Sequence, residues 1–95
     1  MSLTELNLGD NGIGAEGAGR LAGVLGQCSS LAVLNLEYNR IGAKGAGRLA
    51  GVLGQCSSLT KLDLSSNEID DDGIAMLRKC WPGDSGLEID GQFSG

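Results

Sequence analysis

The chain copies itself at a period of 28 residues, and that period constrains its fold more than any other feature. Leu3–Ser30 and Leu31–Ser58 agree at 22 of 28 positions, and a third copy opens at Leu59 before it drifts. Each copy begins with the spacing L-x-x-L-x-L-x-x-N-x-I. Leu3, Leu6, Leu8, Asn11 and Ile13 carry it first, then Leu31, Leu34, Leu36, Asn39 and Ile41, then Leu59, Leu62, Leu64, Asn67 and Ile69. A unit this short cannot bury its apolar side alone, so the copies must stack and share one core.

Two periodicities alternate within a copy. Leu6 and Leu8 flank Asn7 at strand spacing, so leucines face one side while Glu5, Asn7 and Gly9 face the other. Past Ile13, residues Ala18, Leu21, Ala22, Leu25 and Cys28 fall on one face of a helix. In the third copy Asp70 stands at a helix N-cap, with Asp71 and Asp72 in the first turn, where the helix dipole favours negative charge. Stacked units of this kind make an α/β architecture, a right-handed solenoid with a parallel sheet inside and helices outside. Strands repeat at ~4.8 Å but helices need roughly 8 to 10 Å, so the helix side splays and the sheet becomes concave. Asn11, Asn39 and Asn67 are expected to form a ladder that satisfies backbone groups where the strands end. Gly17, Gly19, Gly23 and Gly26 each weaken an isolated helix by roughly 0.5–1 kcal/mol relative to Ala, which makes sense where helices approach closely.

The 28-residue period, the Asn at the turn and the helices ending in Cys resemble the ribonuclease-inhibitor-like class of leucine-rich repeats over nearly the whole chain. That resemblance implies a horseshoe segment that binds other proteins. It is specific for fold and names no partner. Members of the class usually carry many more repeats, and the glycine-rich helices depart from their pattern.

As a single domain, residues 1–95 divide into repeats 3–30, 31–58 and 59–83, a capping strand at 86–90 and a tail at 91–95. Pro82 stops the third helix. Leu87-Glu88-Ile89 reads as a further Leu6-Asn7-Leu8, which puts Gln92 where an Asn would stand, while Glu88 and Asp90 discourage more pairing at that edge. By the period, Cys80 and Trp81 replace Val24 and Leu25 and are expected to face inward. At the other end Leu3, Leu6, Leu8, Leu21 and Leu25 begin the stack with no polar copy ahead of them. Two readings fit: a stretch cut or engineered from a longer array, or an edge that packs on another copy. A closed two-fold homodimer through this edge is the first expectation, because a head-to-tail contact would polymerise.

Composition removes several classes of function. The chain has 0 His, which excludes Ser–His and Cys–His nucleophiles and imidazole metal sites. Three Cys without a signal peptide fit reduced, buried thiols and a cytoplasmic setting. No apolar run approaches the ~18 residues of a membrane span. Residues 1–58 are neutral and the net charge of −5 lies in 59–95, so nucleic acid would meet no basic stripe. No cofactor is expected. Gly12-Ile13-Gly14-Ala15-Glu16-Gly17, with Glu37 20 residues on, matches a dinucleotide fingerprint, yet Arg40 replaces its first glycine in the second copy and the repeat explains both. Asp63-Leu64-Ser65-Ser66-Asn67 starts like a calcium loop, but Glu68 stands at the required Gly and Ile74 at the bidentate Glu.

Six positions separate the first two copies, and five of them lie in the strand segment: Thr4/Ala32, Glu5/Val33, Gly9/Glu37, Asp10/Tyr38 and Gly12/Arg40. The helices stay constant apart from Glu16/Lys44, as if a scaffold were copied and its inner surface diversified. The expected function is non-catalytic protein binding through the concave face, by Glu5, Asp10, Val33, Glu37, Tyr38, Arg40, Lys61, Asp63 and Glu68. Tyr38 is the aromatic anchor. The alternative is a repeat scaffold that only associates with itself.

Overall fold

The structure, a computed structural model, describes residues 3–92; positions 93–95 of the expected tail lie outside them. Strands and helices alternate as β1 (Glu5–Asn7), α1 (Gly14–Leu25), β2 (Val33–Asn35), α2 (Gly42–Leu53), β3 (Lys61–Asp63), α3 (Asp71–Cys80) and β4 (Leu87–Glu88). The strands form one parallel sheet in chain order. Its register sets Leu6, Leu34, Leu62 and Leu87 side by side, so the 28-residue period becomes a row of identical leucines. A shortened fourth unit joins the sheet through Leu87 and Glu88, a shorter strand than the expected 86–90.

Each helix packs on the next, and the core lies between helices and sheet. Leu34, Leu36, Ile41, Leu49, Leu62, Leu64 and Leu77 are fully buried there, with Ala18 and Ala46 where the helices meet. Burial of one such leucine stabilises the fold by about 1.5–3 kcal/mol, and the first copy contributes less because Leu6, Leu8, Ile13 and Leu21 are only half-buried. Close helix approach is concentrated at Gly45: a Cβ there would strike Ile41 Cγ2 and sit 3.2 Å from both Ala15 Cα and Ala18 Cβ. Gly19 and Gly26 face side chains of the following repeat, Arg48 and Gln55, while Gly23, Gly47, Gly51 and Gly54 meet nothing within 4 Å. Of the four glycines singled out in the first helix, Gly19 and Gly26 meet the following repeat, Gly17 meets only Ile13 of its own repeat and Gly23 meets nothing.

Helix starts depend on the neighbouring repeat. Ile13 and Ile41 offer no side-chain cap to α1 and α2. Instead Gly14 N–H donates to the Asn39 carbonyl at 2.7 Å and Gly42 N–H to the Asn67 carbonyl at 2.8 Å. Only α3 has its own cap, Asp70, which accepts the Gly73 N–H at 2.8 Å. Asp71 and Asp72 at its start and Arg78 and Lys79 at its end complement the helix dipole.

The asparagine ladder is present with a difference at its first rung. Asn39 Oδ1 accepts the N–H groups of Asn11 and Ile13, and its amide donates to the Leu8, Leu36 and Glu37 carbonyls. Asn67 repeats every one of these bonds one copy later. Gln92 ends the series: its Oε1 accepts from Asn67 N–H at 2.8 Å and Ile69 N–H at 3.0 Å, and its Nε2 donates to the Leu64 and Ile89 carbonyls. Asn11 is exposed and donates only to Gly9 O, because a rung needs a preceding repeat to bond.

Three other expectations are corrected. Leu25 is 3% exposed and belongs to the core, since α2 covers it, so it is no part of the N-terminal edge. Cys28 is exposed and only Cys56 is buried, although the two occupy the same place in their repeats. Trp81 is buried and its indole N–H donates to Ser85 O, whereas Cys80 is only half-buried, like its counterpart Val52. The chain then enters β4 through Gly86 at φ 97°, where any Cβ would strike the Thr60 carbonyl.

Candidate interaction surface

Helices cover one face of the sheet and leave the other open. Strand alternation sets which side chains stand on it. Register aligns Glu5, Val33 and Lys61 in one row, and Asn7, Asn35, Asp63 and Glu88 in the next. Glu37 follows two residues past Asn35, at the end of the sheet nearest the helix N-termini. A shallow depression of about 430 Å³ runs along the first two rows.

A local hydrogen bond organises the second row. Asn7 Oδ1 accepts the Gly9 N–H, Asn35 Oδ1 the Glu37 N–H and Asp63 Oδ1 the Ser65 N–H, all at 2.9 to 3.0 Å. Asn and Asp suit this turn equally, since either supplies the acceptor oxygen. Asp63 adds a charge that the turn does not require. It lies against Glu37, and the negative charge of Asp63 is the main reason the Glu37 carboxyl titrates above its ordinary value, with Glu88 adding to the effect.

The remaining expected residues lie in the loops leading from strand to helix, on the rim of the open face. Asp10, Tyr38 and Ser66 share one loop position and adopt φ of 57°, 57° and 58°. Arg40 and Glu68 share another with Gly12, at φ of 55°, 61° and 62°. Left-handed backbone costs a non-glycine residue about 1–2 kcal/mol, so repeats two and three hold large side chains where glycine would be favoured. Tyr38 is 56% exposed.

The structure thus brings together Glu5, Val33, Lys61, Asp63 and Glu37 on the sheet, and Asp10, Tyr38, Arg40 and Glu68 on its rim. Comparing variable positions missed Asn7 and Asn35, which are invariant between copies, and Glu88, which entered only as a guard on the edge. Counting every second residue through all four strands would have found them.

The N-terminal end is a second distinct surface. Leu8, Asn11, Ile13, Gly17, Arg20 and Leu21 line an apolar hollow there. Leu6, Leu8 and Leu21 are half-buried and Leu3 is 55% exposed, whereas their counterparts Leu34, Leu36, Leu49 and Leu31 are buried by the first repeat.

The family model described as Leucine Rich repeat matches residues 1–22, 27–50 and 55–77. The chain belongs to the leucine-rich repeat family. Among solved structures, this leucine-rich repeat chain is similar to the one titled Leiomodin-1 Actin-Binding Site 2, with a TM-score of 0.84 and 24% identity over 94% of its own length. It spans about half, 54%, of that leiomodin chain, and the likeness is one of fold. No curated protein matches the chain. Among the described residues, no helix is long and apolar enough to cross a membrane.

Proposed function

We propose that this leucine-rich repeat chain is a non-catalytic interaction module that takes a protein partner on the open sheet face and its rim. The observation that carries this reading is the placement of Tyr38 and Arg40. Both sit at left-handed backbone positions, and the first copy has Asp10 and Gly12 in their places. Tyrosine and arginine are both enriched among the residues that carry binding energy at protein interfaces. Holding them at strained positions is easier to understand as recognition than as packing.

The leiomodin-1 domain is titled an actin-binding site, which makes actin the first partner to offer, by co-sedimentation. Crosslinking from a photoreactive group at position 38 captures others. The Tyr38→Ala, Arg40→Ala double variant should lose the captured partner while keeping its unfolding midpoint. Undiminished binding would refute the reading. Three free thiols support a reducing compartment such as the cytoplasm as the setting for this module.

A second reading is self-association through the N-terminal hollow, favoured by the half-buried Leu8, Ile13 and Leu21. With β4 and Gln92 covering the opposite end, two copies would meet N-terminus to N-terminus about a two-fold axis. Light scattering that gives a monomer at high concentration would eliminate it.

A further inference from the structure

The fold sorts charge in a way the linear sequence does not show. The strands and the loops leading from them carry Glu5, Asp10, Glu37, Asp63, Glu68, Glu88 and Asp90 against Arg40 and Lys61. The helices, their caps and the loop after α3 carry Glu16, Asp70, Asp71, Asp72 and Asp84, balanced by Arg20, Lys44, Arg48, Arg78 and Lys79. The helical side therefore sums to zero, and the strands with the loops leading from them carry the net charge of −5, Asp90 standing at the C-terminal end beside Asp70, Asp71 and Arg78.

Among the described residues, Arg40 and Lys61 are the cations on that side, and neither forms a salt bridge there. Among the described residues the side-chain ion pair is Arg20 with Glu16, on the outer surface. The acids do no structural work that neutral groups could not do. Asn7 and Asn35 make the turn bond that Asp63 makes, and Gly9 stands where Glu37 does. Asp63 and Glu88 are register partners on β3 and β4, and Glu37 follows two residues past β2, so the three make a short diagonal path, close enough to raise the titration of Glu37. Like charges gathered without a cation destabilise the free protein, and a cationic ligand relieves them.

Building on the open-face reading, we infer that the partner presents lysine or arginine side chains from an extended segment, which meet the Glu37–Asp63–Glu88 diagonal while Tyr38 packs at the rim. Lys61 on the neighbouring row sets the limit of the acidic path and favours an acidic or neutral residue at that end of the segment. A face-exposed tyrosine also attracts an arginine guanidinium through its ring.

The test titrates the chain with a nine-residue synthetic peptide carrying lysine at alternate positions, followed by amide chemical shifts, beside a glutamate counterpart and magnesium chloride at matched ionic strength. The lysine peptide should shift the amides of Asn35, Glu37, Asp63 and Glu88, weaken with salt, and bind at least ten-fold less to the Asp63→Asn, Glu88→Gln variant. That variant should unfold no earlier than the parent, because Asn already serves at the equivalent positions. Shifts centred on Asp70, Asp71 and Asp72 would overturn the inference, as would unchanged affinity in the variant or equal shifts with magnesium alone. A protein partner lost on changing Tyr38 and Arg40 but retained on changing Asp63 and Glu88 would remove the cationic segment and leave the open-face reading standing. Retention in both variants would remove both.

Discussion

Truncating the asparagine ladder should cost stability in the order Asn67, then Asn39, then Asn11, although the three occupy equivalent places in the sequence. Asn67→Ala removes the acceptor for Asn39 N–H at 2.8 Å and Ile41 N–H at 3.4 Å, both in buried residues. The carbonyls it served keep other donors: Leu36 O keeps the Asn39 amide, Leu64 O the Gln92 amide and Ser65 O the Tyr38 N–H. Two stranded buried N–H groups at about 1–3 kcal/mol each, the longer bond counting for less, give a loss of about 2–4 kcal/mol. That is a large fraction of the ~5–15 kcal/mol typical of a whole domain. Asn39→Ala frees Asn11 N–H, Ile13 N–H and Leu8 O, but these lie at the open end where water can replace the amide, so about 1–2 kcal/mol is expected. Asn11→Ala removes one exposed bond to Gly9 O and should stay within about 0.5 kcal/mol. Urea unfolding followed by far-ultraviolet circular dichroism measures all three at a common slope. Equal losses at the three rungs would refute the reasoning, because the cost would then come from the side chain itself rather than from the backbone groups it leaves unpaired.

Gly45→Ala should destabilise by about 1–3 kcal/mol through overpacking against Ala15 and Ala18, while Gly51→Ala, with open space around it, should stabilise by about 0.5–1 kcal/mol; thermal melts of the two variants separate the cases. Arg40→Gly relieves a left-handed backbone and should gain about 0.5–1 kcal/mol after the added flexibility of the unfolded chain, at the expense of partner binding. Glu37 titrates above its ordinary value of 4.5, so the folded state binds that proton more tightly than the unfolded one and loses stability as pH rises from the ordinary carboxylate range through the raised value. Glu37→Gln should therefore stabilise at neutral pH, with the gain fading as pH falls through that window, which urea midpoints across pH will report. Thiol labelling should modify exposed Cys28 first and Cys56 last, since burial pushes the Cys56 thiol up with a smaller contribution from Cys28.

Much of the fold was legible because a repeat states its rule more than once. The leucine spacing located β1, β2 and β3, the change to helical period located the helices, and Asp70 marked the start of α3 through its own side chain. Gln92 could be foreseen as the final rung because Leu87 reset the count. The candidate face was only partly legible. Comparing copies singled out Glu37, Tyr38 and Arg40 but passed over Asn7, Asn35 and Glu88. Variation detects what differs between units, whereas a surface includes whatever the register places on it.

What depends on neighbours was hidden. Leu25 and Leu21 belong to one helical stripe, yet α2 buries the first and leaves the second half covered. Asn11 and Asn39 share one motif, but a rung's side chain bonds fully only where a preceding repeat offers its backbone. The sequence alone determined the repeating unit, its strand, its helix and the need to stack, because these follow from local periodicity and from apolar faces that one unit cannot bury. Only the tertiary structure decided which copies of each residue are enclosed and that the acids gather on the open sheet side, because enclosure and field depend on what stands across a gap, and adjacency along the chain does not encode that.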